Sequence, residues 1–278
     1  MTVLLLSASL FLVSIAAGLL GALTGLGGGV VLVPALVLLF GVDIHYAMGA
    51  SLLSVIATSS GAAAAFFREG YTNLRIGMFL ELAAVLGAIG GAYAAALLNA
   101  HVIAIMFGII LLGSAYFALR RHDESDPSRP SHPWAVRLGL EGTYGAGRSA
   151  RAYRVYNVPV GFALMGAAGV LSGLLGIGSG AVKVIAMDQA MRLPYKVSTA
   201  TSNFIIGITA AASAGVYFGR GYIDPGLTMP VMLGVLVGAV VGARIMTGAR
   251  SGMLRFIFSI VIVALGVQMI VSGVRGGP

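Results

Sequence analysis

The sequence predicts an all-α polytopic membrane protein built from two inverted repeats of about five helical segments each, with short broken helices at glycine-rich motifs. Three observations predict it. First, hydrophobic residues make up 58% of the 278 positions and charged residues 9%, at a mean hydropathy of +0.98. Soluble domains carry about a quarter charged residues, so lipid is the solvent this composition suits. Second, Gly25-Leu26-Gly27-Gly28-Gly29 recurs 151 residues later as Gly176-Ile177-Gly178-Ser179-Gly180, and the register holds without a gap. At that offset Gly18 matches Gly169, Ser51 matches Ser202, Thr58 matches Thr209 and Gly70-Tyr71 matches Gly221-Tyr222. Third, Arg and Lys lie at the ends of apolar runs and in one central loop. Despite a net charge of +8, that distribution reads as membrane topology and excludes a nucleic-acid-binding face.

The elements follow in chain order. The N-terminus has no basic n-region and runs straight into apolar residues, so the first segment is expected to be a retained helix rather than a cleaved signal. The first repeat, 1–119, contains apolar segments at Val3 to Leu23, Gly28 to Phe40, Ala47 to Phe67, Ile76 to Leu98 and Val102 to Leu119. A hydrophilic loop, 120–156, separates it from the second repeat, 157–278. There the segments are Val158 to Leu175, Ser179 to Met191, Val197 to Phe218, Leu227 to Met246 and Met253 to Val274. Most reach the roughly 20 residues that a bilayer core requires. The second segment of each repeat reaches only about 20 Å at 1.5 Å per residue, against a core of about 30 Å. Each therefore starts inside the membrane, at its glycine break, where irregular backbone must face protein or a water-filled cavity.

Orientation follows from the positive charges. The central loop carries Arg120, Arg121, Arg129, Arg137, Arg148, Arg151 and Arg154 against Asp123, Glu124, Asp126 and Glu141, so it is expected in the cytoplasm. Arg68, Arg75, Arg192 and Lys196 then fall inside, and the neutral Asn99-Ala100-His101 turn falls outside. The equivalent turn of the second half carries Arg244, Arg250 and Arg255 and reads as inside. Equivalent turns on opposite sides invert the two halves and put both termini outside an inner, cytoplasmic membrane; Arg275 at the outer C-terminus runs against the rule. A parallel duplication with a re-entrant segment is the alternative arrangement.

Several chemistries are excluded. There is no cysteine, so no disulfide, thiolate metal site or thiol nucleophile. His45, His101, His122 and His132 have no metal-ligand spacing, and no phosphate-binding G-x-x-x-x-G-K-[ST] loop occurs. Gly178-Ser179-Gly180 suggests a serine hydrolase only superficially, because no histidine follows position 132 to act as base. No catalytic residue, metal or cofactor is expected. The expected partners are the bilayer and a small inorganic or organic anion.

The candidate site is built on the breaks. Gly25, Gly27, Gly28 and Gly29, and Gly176, Gly178, Ser179 and Gly180, let the backbone leave the helix and approach a ligand without a Cβ in the way. The helices that start after them offer free N–H groups and a positive dipole end at membrane depth, which suits an anion. Tight helix crossing is the alternative use of glycine, and it is the reading for Gly87, Gly91, Gly238 and Gly242. Ser51 and the run containing Thr201, Ser202 and Asn203 supply neutral donors, or else ordinary interhelical hydrogen bonds. Lys183, where the first repeat has Leu32, must face a cavity, the substrate or a structural partner such as Glu81 or Asp188. Glu81 and Asp188 are candidate proton carriers. Asp43 and His45 decorate an outer turn, and Pro34 marks either a hinge or an ordinary first helical turn.

Internal duplication around broken, glycine-rich segments is the pattern of a secondary transporter. The Gly-Leu-Gly-Gly-Gly motif followed by Val-Leu-Val-Pro-Ala-Leu, with Ala50-Ser51 about twenty residues later, resembles the TauE/SafE family of sulfite and organosulfonate exporters. The resemblance runs through both halves, although Ile185 stands where the first half has Pro34 and Ser179 where it has Gly28. It implies movement of small sulfur-containing anions across the cytoplasmic membrane, with export the leading direction. A passive anion channel or an uptake permease for a related oxyanion is the alternative.

Overall fold

The helices of the computed structural model, which describes residues 3–24, 28–68, 71–119, 130–144, 151–246 and 251–275, fall where the apolar runs lie. The first repeat comprises α1 (Val3–Thr24), α2 (Gly29–Phe40), α3 (Ile44–Arg68), α4 (Leu74–Ala95) and α5 (Ala100–Leu119). The second comprises α7 (Val158–Leu175), α8 (Gly180–Ile185), α9 (Tyr195–Gly219), α10 (Pro225–Met246) and α11 (Ser251–Arg275), with α8 running on into a π-helical turn over Ala186–Ala190. Among the described residues α1, α4, α7, α9 and α10 are long and apolar enough to cross a membrane. The outer surface is apolar: Leu4, Leu12, Leu82, Leu86 and Ile109 are all exposed. Such a surface is stable against acyl chains, not water, and the chain is a multi-pass membrane protein.

The loop between the repeats carries more order than its hydrophilic composition suggests. It holds a short helix, α6 (Pro133–Arg137), and an antiparallel hairpin of β1 (Gly142–Tyr144) and β2 (Arg151–Tyr153). Ala135, Leu140, Tyr153 and Val155 are buried and join a small core with Ile76, Leu80 and Val197 at one end of the bundle. Asn73 ties the two together. Its Oδ1 accepts from the Ile76 amide at 3.0 Å as the α4 N-cap, and its Nδ2 donates to the Leu140 carbonyl at 3.1 Å and to the Tyr153 hydroxyl at 2.5 Å. Burial pushes the Tyr153 phenol above its usual range.

Packing repeats at the 151-residue offset. The helix pair α1/α10 corresponds to α7/α4, and α3/α10 corresponds to α9/α4. A methyl on Gly18 would strike the Val235 carbonyl, and one on Gly169 would strike that of Ala84, the equivalent residue. Gly87 meets Gly166 and Gly238 meets Ile15, again equivalent, so these glycines serve close helix packing, as does Gly91 against Val170. The N-caps match too: Asp224 accepts from the Leu227 amide at 2.9 Å as Asn73 does from Ile76. Equivalent helices α3 and α9 cross with their contacts in opposite senses, Met48 meeting Tyr217 while Ser59 meets Gly207. The α3–α4 connection sits with the central hairpin, whereas the equivalent α9–α10 turn sits with the α2–α3 turn, where His45 stacks on Tyr222 at 5.0 Å.

Candidate functional site

The break in the second repeat is a tight reversal between α7 and α8. Gly176 (φ 66°) and Gly178 (φ 70°) take left-handed conformations that glycine adopts without a Cβ clash. Ser179 adopts the same region at φ 46°, and its hydroxyl donates to the Ala168 carbonyl at 2.6 Å. That bond anchors a strained non-glycine residue. In the first repeat Gly28 is the N-cap of α2 (φ −64°), and its carbonyl accepts from Leu32 at 3.0 Å. Gly25 and Gly27 lie outside the described residues.

The two breaks meet at the crossing of α3 and α9. A methyl built on Gly29 would lie 2.5 Å from Ser51 Oγ, 3.0 Å from Val55 and 3.4 Å from the Ile177 Cα. A methyl on Gly178 would lie 3.0 Å from the same Val55 and 2.9 Å from Ile206, the repeat equivalent of Val55. The sequence motifs, far apart in the chain, are thus neighbours in space.

The polar candidates divide by what their hydrogen bonds do. Ser51 is fully buried and its hydroxyl has no partner among the described residues. Its equivalent Ser202 donates to the Gly180 carbonyl at 3.3 Å. Thr201 accepts from the Asn73 amide at 3.1 Å, and Asn203 donates to the Thr199 carbonyl at 3.0 Å within its own helix. Ser198 and Thr199, beside them in α9, also bury unpartnered hydroxyls.

Lys183 is fully buried on α8. Its ammonium donates to Glu81 Oε2 of α4 at 3.4 Å and to the Thr209 hydroxyl of α9, while Thr209 donates to Glu81 Oε1 at 2.5 Å. The structural partner is therefore Glu81; Asp188 lies half-buried in the π-helical turn. The sequence offers Glu81 and Asp188 as alternative partners for Lys183, and it does not single out Thr209 as the hydroxyl that joins Lys183 to Glu81. The repeat offered a signal, since Thr58 and Thr209 correspond while Leu32 and Met232 occupy the places of Lys183 and Glu81. Each repeat contributes one charge of the pair, Glu81 from the first and Lys183 from the second, and the equivalent position in the other repeat is apolar.

The remaining features are peripheral. Asp43 accepts from the His45 amide at 2.9 Å in the α2–α3 turn, and Pro34 lies inside α2, past its first turn. The side chains of Arg244 and Arg255, together with Arg250, lie outside the described residues. A cleft of about 290 Å³ at the loop end is lined by Tyr71, Asn73, Arg75, Glu141 and Tyr153. Among the described residues no group of three or more His, Asp and Glu side chains could hold a metal.

A lipid-facing helical bundle whose two broken helices meet at a buried polar centre defines the class of polytopic membrane transporters. The chain belongs to the sulfite exporter TauE/SafE family, whose profile matches residues 10–269. It is 28% identical over 277 residues to the probable membrane transporter protein YunE of Bacillus subtilis, covering 95% of this chain and 97% of that one. It is 29% identical over 243 residues to the probable membrane transporter protein YdhB of the same organism, covering 84% and 86%. A probable membrane transporter protein of Xylella fastidiosa is 26% identical over 262 residues, covering 93% and 91%. No solved structure matches the chain.

Proposed function

We propose that this protein is a secondary transporter that moves small sulfur-containing anions, such as sulfite or organosulfonates, out across the cytoplasmic membrane, and that it is not an enzyme. The two repeats are inverted, both termini are outside, and the hairpin-bearing loop is in the cytoplasm. The antiparallel crossing of α3 with α9 and the opposite placement of the equivalent α3–α4 and α9–α10 connections support the inversion.

The observation that carries the anion reading is Ser51. A buried hydroxyl without a partner is costly, and this one, which has none among the described residues, lies beside Gly29 at the start of a twelve-residue helix, the positive end of the helix dipole. Neutral donors at a helix N-terminus suit an oxyanion. Lys183, on the broken helix of the second repeat, supplies the cation. The backbone at Gly28, Gly29, Gly176, Gly178 and Gly180 gives the anion close approach, whereas Ser179, Thr201, Ser202 and Asn203 hold the walls.

Flux in liposomes tests the reading. The purified protein should pass sulfite, thiosulfate or sulfoacetate in preference to chloride, and equal chloride flux would make it a general anion pore.

A further inference from the structure

We infer that anion and proton cross together, the anion taking the place of Glu81 on Lys183 only when Glu81 carries the proton. The inference rests on the anion-transport reading and gives it a coupling ion. Its basis is the geometry of one buried cluster: the Lys183 ammonium, both Glu81 oxygens and the Thr209 hydroxyl, contributed by α8, α4 and α9.

Charge balance supplies the argument. With Lys183 cationic and Glu81 anionic the cluster is neutral, and each charge has its partner in the buried interior. Adding a monoanion alone leaves one uncompensated negative charge there, which a low-dielectric site resists. A proton on Glu81 removes that charge and releases Lys183 to the incoming anion. The neutral acid stays within hydrogen-bonding reach of Thr209, so it need not leave its place.

Among the described residues no other group offers an equally placed proton site. Helix α7, which packs on α4, has no titratable residue over Val158–Leu175. Helix α9 offers only Tyr195, Lys196 and Tyr217, all near its ends. The α8 and π-helical segment adds Lys183 itself and the half-buried Asp188.

The proton is taken from water on the side where the anion enters and binds a Glu81 oxygen. When the anion leaves on the other side, Glu81 releases the proton there and recaptures Lys183. The centre is neutral both loaded and empty, so transfer of a monoanion moves no net charge. Net direction then follows the sum of the anion and proton gradients, and export proceeds when the outward anion gradient is the steeper.

The test uses the full chain in liposomes containing a pH-reporting dye, with isethionate as a permanent monoanion and valinomycin with potassium to set the membrane potential. An inward isethionate gradient should acidify the lumen by one proton per anion, at a rate independent of the potential. Glu81→Gln should still exchange labelled isethionate across vesicles at equal concentration but lose the acidifying net uptake. Isethionate entry driven by a positive-inside potential without acidification overturns the coupling, as does undiminished acidification in E81Q. The wild-type stoichiometry decides the matter even if E81Q fails to fold. Absence of flux for isethionate, sulfite, thiosulfate and sulfoacetate alike overturns the anion-transport reading itself, and the coupling with it.

Discussion

Ser51 and Ser202 occupy equivalent places in the two repeats, both fully buried, yet Ser202 donates to the Gly180 carbonyl at 3.3 Å while Ser51 has no partner among the described residues. The duplicated architecture keeps one hydroxyl for structure and leaves the other free. The asymmetry recurs at Lys183, where the first repeat has Leu32, and at Glu81, where the second repeat has Met232. The close-packing glycines, by contrast, agree between the repeats, as Gly18 does with Gly169 and Gly87 with Gly238.

Ser51→Ala is therefore expected to weaken anion binding by about 1 kcal/mol, roughly fivefold in affinity, with little change in thermal stability. Ser202→Ala should do the reverse, lowering the melting temperature while leaving affinity nearly intact. Calorimetric titration and melting in detergent separate the two, and a Ser51→Ala protein with wild-type affinity would remove that hydroxyl from the site.

Gly169→Ala should separate α7 from α4, because its methyl would meet the Ala84 backbone, and Gly18→Ala should do the same to α1 and α10 against Val235. Overpacking of this kind costs about 1–3 kcal/mol. Gly90→Ala, whose methyl would meet nothing within 4 Å, is the control and should be neutral or slightly stabilising. Melting temperatures of the three variants provide the comparison.

Asn73→Ala removes the α4 N-cap and the bonds to Leu140 and Tyr153 together. Loss of the cap alone costs about 1 kcal/mol. The hairpin should then detach more readily, and trypsin should cut at Arg137 and Arg151 faster than in the parent protein. Unchanged cleavage would mean that the buried Leu140 and Val155 hold the loop without Asn73.

Topology can be read in a chain that has no cysteine of its own. Single cysteines at Asn99, just before α5, and at Gly252, in the first turn of the equivalent α11, should label from opposite sides of the membrane. Labelling from the same side would refute the inversion.

The sequence by itself determined the membrane class, the ten apolar segments, the duplication and the shortness of the second segment in each repeat. These are local properties: hydropathy sets a segment's solvent, length sets its span, and adjacent glycines break a helix wherever they stand. Val158–Leu175 in particular has the ends that the apolar run has. The order within the central loop was not legible, because its buried residues are few and far apart and become a core only against Ile76 and Val197. Only the tertiary structure decided that Lys183 pairs with Glu81, 102 residues away, with Thr209 between them. It alone separated Ser51 from Ser202. A hydrogen bond depends on what lies within 3 Å of a side chain, and in a helical bundle that neighbour comes from another helix whose position no local pattern records.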